Sequence, residues 1–161
     1  MTEAQLKIRI RIWLALFIVG LALSGITAFP IETELAFLVR NSGSFPATMV
    51  AWINTVYEAV KATNASYPYL AYGTDWLAFG HLVIATAFIG PLINPVKNIW
   101  ILQFGMVACI MVFPLAFIAG PIRHIPLYWR LIDCSFGFFG FFPLLICYQS
   151  IRKLEKLQKL P

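Results

Sequence analysis

His81, Arg130 and Asp133 are the residues of this sequence whose types and positions suit proton transfer. The apolar run after Asp133 lasts only from Cys134 to Tyr148, about 15 residues or roughly 22 Å of helix, against a hydrocarbon core of about 30 Å. A span ending near Tyr148 therefore starts near Trp129, which places Asp133 about one turn inside the membrane. A carboxylate at the centre of a span costs on the order of 2.5–3.5 kcal/mol, so such a residue needs a partner or a role. His81 follows Trp76 by about five residues and Asp133 follows Trp129 by about four, a depth of roughly 6–8 Å on each helix. A neutral imidazole N–H satisfies a carboxylate, and the carboxylate raises the proton affinity of the imidazole. His81 and Asp133 are thus expected to face one another, or to share one ligand, in an outward-opening pocket, as its candidate catalytic residues.

Arg130 lies three residues before Asp133 on the same helical face, where it neutralises the carboxylate or rises to the head groups. Gly137 and Gly140 continue that face and leave it bare, open to a neighbouring helix or a flat ligand. Asp75, Trp76, Arg123, His124 and Thr27 complete the candidate ligand-binding set near the same level. Each has a plainer reading. His81 suits a helix–helix hydrogen bond, and Asp75 or Thr74 an N-cap. The glycines suit packing, His124 an interfacial loop, and Arg130 with Asp133 a structural ion pair.

The elements that must position these residues follow from hydropathy. The chain is 60% hydrophobic and 12% charged, with a mean hydropathy of +0.80. Soluble domains carry about 25% charged residues, so this is an all-α integral membrane protein in one domain. Four transmembrane helices are expected as a bundle at about 11–30, 75–93, 99–119 and 128–149. The first is also compatible with a secretory leader cleaved at Ala28, but is read as a span. Gly20 and Ser24 form a small-xxx-small pair on it. Gly90-Pro91 and Gly120-Pro121 read as one helix-stop device used twice, and Pro114 as a kink inside span three. The loop 31–74 carries an extracytoplasmic amphipathic helix at about 46–63, with Met49, Ile53, Val56, Tyr57 and Val60 on one side, preceded by a shorter helix near Glu34–Val39. Asn64-Ala65-Ser66 matches a glycosylation sequon. Residues 150–161 form a basic amphipathic tail that anchors at the interface.

Lys7, Arg9, Arg11, Lys97, Arg152, Lys153, Lys156 and Lys159 fall on one side of these spans, and Arg40, Lys61, Arg123 and Arg130 on the other. The more basic side is cytoplasmic, so both termini lie in the cytoplasm of a multi-pass cell-membrane protein. The formal charge of +5 serves topology and not nucleic-acid binding. Cys109, Cys134 and Cys147 lack the spacing of a metal site or a disulfide framework and read as apolar filler. GxSxG, HExxH and Walker motifs are absent.

Three function classes are consistent with this pattern. The first is a binding protein or enzyme for a lipid-like small molecule, with proton transfer at His81 and Asp133 and the 31–74 segment as lid. The second is a haem- or quinone-linked redox protein using His81 and His124, with haem b one candidate cofactor. The third is an accessory or assembly subunit of a membrane complex, or a homo-oligomer, in which the polar groups lock helices together.

Overall fold

The computed structural model describes residues 1–158 and is helical along most of that length. Helix α1 is Glu3–Ala28, α2 Ile31–Arg40, α3 Ala47–Ser66, α4 Ala71–Ala87, α5 Ile89–Ile93, α6 Ile99–Ile122 and α7 Leu127–Gln158. Single 3-10 turns at Ser42–Ser44 and Pro68–Leu70 precede α3 and α4. Among the described residues four stretches are long and apolar enough to cross a membrane: Glu3–Ala28, Pro68–Ile93, Ile99–Ile122 and Leu127–Gln158. They correspond to the four expected spans. Lys159, counted in the orientation argument, lies outside the described residues.

The chain divides into two compact units, one of Met1–Gly20 with the chain from Ala85 onward, the other of Leu21–Ile84. In the first unit, Leu6, Ile10 and Leu14 of α1 meet Phe88, Ile101 and Leu102, and Leu144, Cys147, Ile151 and Leu154 of α7 in one buried core. Helices α1 and α7 are antiparallel there. Cys147 Sγ donates to the Ile10 carbonyl at 3.6 Å, and Gln158 Nε2 to Glu3 Oε1 at 3.2 Å. Span four and the tail as far as Gln158 form one continuous helix. Cys134, Gly137, Leu144, Cys147, Ile151 and Leu154 are all buried on α7, so the three–four spacing of a packed helix seam runs through Ser150 without interruption. Ser150 itself is buried and turns its hydroxyl onto the Ile146 carbonyl at 2.7 Å.

In the second unit, α2 and α3 form a helical hairpin closed through Asn41–Pro46, with Leu35 and Ile53 buried. Asn64 of the sequon donates its Nδ2 to Glu32 Oε2 at 2.8 Å. Glu32 and Glu34 sit in the first turn of α2 and Arg40 in its last, each at the end where the helix dipole favours its charge.

Three local expectations change. Helix α4 begins at Ala71, after the turn that Pro68 initiates, so Thr74 and Asp75 lie inside the helix and not at its cap. Gly90-Pro91 and Gly120-Pro121 do not stop their helices. Pro91 sits within α5 and Pro121 within α6, and the chain stays helical for two further residues and one further residue respectively. The contact glycine of α1 is Gly25 and not Gly20: a Cβ at Gly25 would lie 2.8 Å from the Ala78 carbonyl and 3.0 Å from His81 Cβ, whereas one at Gly20 would meet nothing within 4 Å.

Helices α6 and α7 come together at backbone distance. A Cβ on Gly137 would sit 2.5 Å from the Cys109 carbonyl oxygen and 3.3 Å from Val112 Cβ. Neither atom belongs to a side chain able to swing away, so Gly137→Ala should force the helices apart and cost about 1–3 kcal/mol. Gly20→Ala should gain roughly 0.5–1 kcal/mol through helix propensity alone. Thermal unfolding of the two variants checks the pair of opposite signs, and a neutral Gly137→Ala would contradict the contact.

Candidate functional site

The turn between α6 and α7 is built by backbone hydrogen bonds. His124 N–H donates to the Pro121 carbonyl at 3.1 Å and Ile125 N–H to the Gly120 carbonyl at 2.9 Å. These are the two bonds of a Schellman helix end, with His124 at the left-handed position. Its φ of 56° is the one positive value among the described residues. Pro126 then starts α7, its carbonyl accepting from Trp129 and Arg130 N–H, both at 3.1 Å. His124 therefore ends α6, the task expected of Gly120-Pro121.

Two turns of chain later, Arg130 reaches back to α6. Its aliphatic stem lies where a side chain on Gly120 would be, since a Cβ there would collide with Arg130 Cδ and sit 2.9 Å from Cγ. Gly120 is buried. The stem is packed as apolar matter, and Arg130 Nε ends up buried without a hydrogen-bond partner. Asp133, one turn further along α7, is half-buried. Ion pairs among the described residues join Lys7 to Glu3 at 2.7 Å and Arg152 to Glu155 at 2.8 Å. No ion pair links Arg130 to Asp133 there, and no described residue hydrogen-bonds the Asp133 carboxylate.

Gly137 is buried against α6, and Gly140 has Cys109 Sγ and Phe17 at 3.2 and 3.5 Å from a Cβ placed on it. The neighbouring helix α6 lies against that bare face. Arg123 and His124 are exposed at the turn.

His81 belongs to the second unit. Its ring Nδ1 is 2.8 Å from the Leu77 carbonyl one turn back. A carbonyl only accepts, so the proton of the neutral ring is on Nδ1 and the lone pair is on Nε2. Gly25 packs on its Cβ. Asp75 is half-buried within α4. Trp76 is exposed between Tyr72 and Phe79, at centroid distances of 6.0 and 5.9 Å. Thr27 is exposed and donates to the Ser24 carbonyl of its own helix at 3.4 Å. Among the described residues no group of three or more His, Cys, Asp and Glu side chains is placed to hold a metal ion, and the three cysteines are unpaired.

Two features of the site were missed from the sequence. Gly120 is the seat of Arg130, and its signal is the small-residue spacing Ala116-xxx-Gly120 just before a tight turn. The backbone role of His124 has a weaker signal, a polar residue two positions before the next helix's proline. No family model, curated protein or solved structure matches the chain.

Left-handed backbone costs a non-glycine residue roughly 1–2 kcal/mol. His124→Gly should therefore raise stability by about 1 kcal/mol, read as an upward shift of the unfolding temperature. An unchanged or lowered temperature would mean that the imidazole holds a contact that outweighs the strain.

Proposed function

We propose that this is a multi-pass membrane protein that binds a lipid-like amphiphile at the α6–α7 turn through Arg130 and Asp133. The observation that carries the reading is that neither group finds a hydrogen-bond or ion-pair partner among the described residues, although both lie on an apolar, span-length helix. An unpaired charge there is costly, and a head group offering an anion to Arg130 and a donor to Asp133 removes the cost. Positions three apart on a helix bring their Cβ atoms to about 5–6 Å, a separation that one head group bridges. In this reading both termini are cytoplasmic, the α6–α7 turn faces outward, and α3 lies along the outer membrane surface. Asp133 is the group that holds or releases a proton for the ligand.

A redox carrier is the second reading. It is favoured by the His81 tautomer, because an Nε2 lone pair with Nδ1–H fixed on a carbonyl is the donor that a haem iron takes. An absorption spectrum of the purified protein separates the two. The amphiphile reading expects no Soret band, and such a band would select haem.

Native mass spectrometry of protein extracted in mild detergent should show a retained amphiphile. Asp133→Asn and Arg130→Gln should each reduce its occupancy at least tenfold while leaving helix content unchanged, since a hydrogen bond to a charged group contributes about 1.5–3 kcal/mol. Retention equal to that of the parent in both variants would remove the proposal. A cysteine placed at Glu58 should react with an impermeant reagent from outside the cell, and labelling from the cytoplasmic side alone would reverse the orientation.

A further inference from the structure

The opposite end of α7 carries a second polar feature, independent of Arg130 and Asp133. Helix α7 has 32 residues, roughly 48 Å of helix, which exceeds a hydrocarbon core of about 30 Å. If the span closes near Tyr148, Lys153 lies roughly 8 Å and Lys156 roughly 12 Å beyond it along the axis. The head-group layer is about 5–8 Å deep on each side. Both ammonium groups are then within a lysine stem's reach of the lipid phosphates.

The cations at this end are not equivalent. Lys7 is held by Glu3 and Arg152 by Glu155. Arg9, Arg11, Lys153 and Lys156 have no carboxylate partner among the described residues. Lys153 and Lys156, one turn apart, border an open groove of about 290 Å³ whose other walls are Met1, Leu6 and Leu157. Two unpaired ammonium groups over an apolar floor match one kind of molecule, with a phosphate at one end and an acyl chain at the other.

We infer that this groove between the start of α1 and the end of α7 holds the head group of an anionic phospholipid from the membrane that the chain spans. The lysines take the phosphate, and Leu6, Leu157 and Met1 cover the first part of the glycerol and acyl region. Because the core residues Leu6, Ile10, Ile151 and Leu154 fix these two helix ends together, the lipid would bridge elements distant in sequence.

The test uses the full chain reconstituted in phosphatidylcholine vesicles containing spin-labelled phosphatidylglycerol or spin-labelled phosphatidylcholine. The parent should retain phosphatidylglycerol preferentially, with a preference that falls as salt rises. Lys153→Gln and Lys156→Gln should each lower it about fivefold. Lys153→Arg with Lys156→Arg should keep it. Lys97→Gln removes the same charge from a loop outside the groove and should leave it nearly unchanged. Circular dichroism and the unfolding temperature identify variants that have lost their fold. Absence of any preference in the parent, which would fit an acidic protein partner instead, overturns the inference. So does an equal loss in Lys97→Gln, or loss of the preference in a folded double-arginine variant.

Discussion

The contact on which the first unit depends is the meeting of α6 and α7 at backbone distance. Gly137 faces the Cys109 carbonyl, Gly105 faces the ends of Phe88 and Leu144, and Gly120 faces the stem of Arg130. For helices placed in a bilayer, as proposed for this chain, apolar side chains gain little by leaving lipid for protein, and close packing of small residues supplies the association. The large residues gather at the other end, where Phe88, Leu102, Leu144 and Ile151 are fully buried with the start of α1. The hairpin therefore has a narrow end near its turn and a filled end near the termini.

The narrow end explains the state of the polar groups. Because Gly120 has no side chain, Arg130 packs its stem against α6, which takes Nε out of reach of solvent and of hydrogen-bond acceptors. Gly137 holds α7 directly against the α6 backbone, and four residues before it Asp133 has no hydrogen-bond or ion-pair partner among the described residues. A short turn closed by a Schellman motif, with His124 in left-handed backbone, keeps the two helix ends from separating to relieve either group. The proposed amphiphile site is read from this packing, which leaves Arg130 and Asp133 without a partner among the described residues.

Much of this was legible in the sequence. Four apolar runs of span length gave four helices, and the period of Met49, Ile53, Val56 and Val60 gave a helix close to the bounds of α3. The boundaries failed where local chemistry competes with hydropathy. Asp75 looked like a cap because it follows Gly73, but Pro68 had already set the helical path. Gly-Pro pairs looked like stops, but Pro91 falls in the first turn of α5, where an N–H would have no intrahelical partner to lose, and Pro121 gives up a single bond one residue before α6 ends. The tail looked separate because its charges begin at Arg152, although Ile151 and Leu154 continue the buried seam of α7. In the site, the isolation of Asp133 within an apolar helix was readable from composition alone. That Arg130 turns to Gly120 and not to Asp133 was not, because i,i+3 spacing permits the pair and only the position of α6 decides against it.

The claim on which the site rests is that Arg130 and Asp133 do not satisfy each other. A double-mutant cycle with Arg130→Gln and Asp133→Asn, read as unfolding free energy in lipid-free detergent, measures their coupling directly. Two groups that do not satisfy each other give a coupling of less than about 0.5 kcal/mol. A coupling above roughly 2 kcal/mol would show an ion pair closed within the chain, leaving no charge for a ligand to answer.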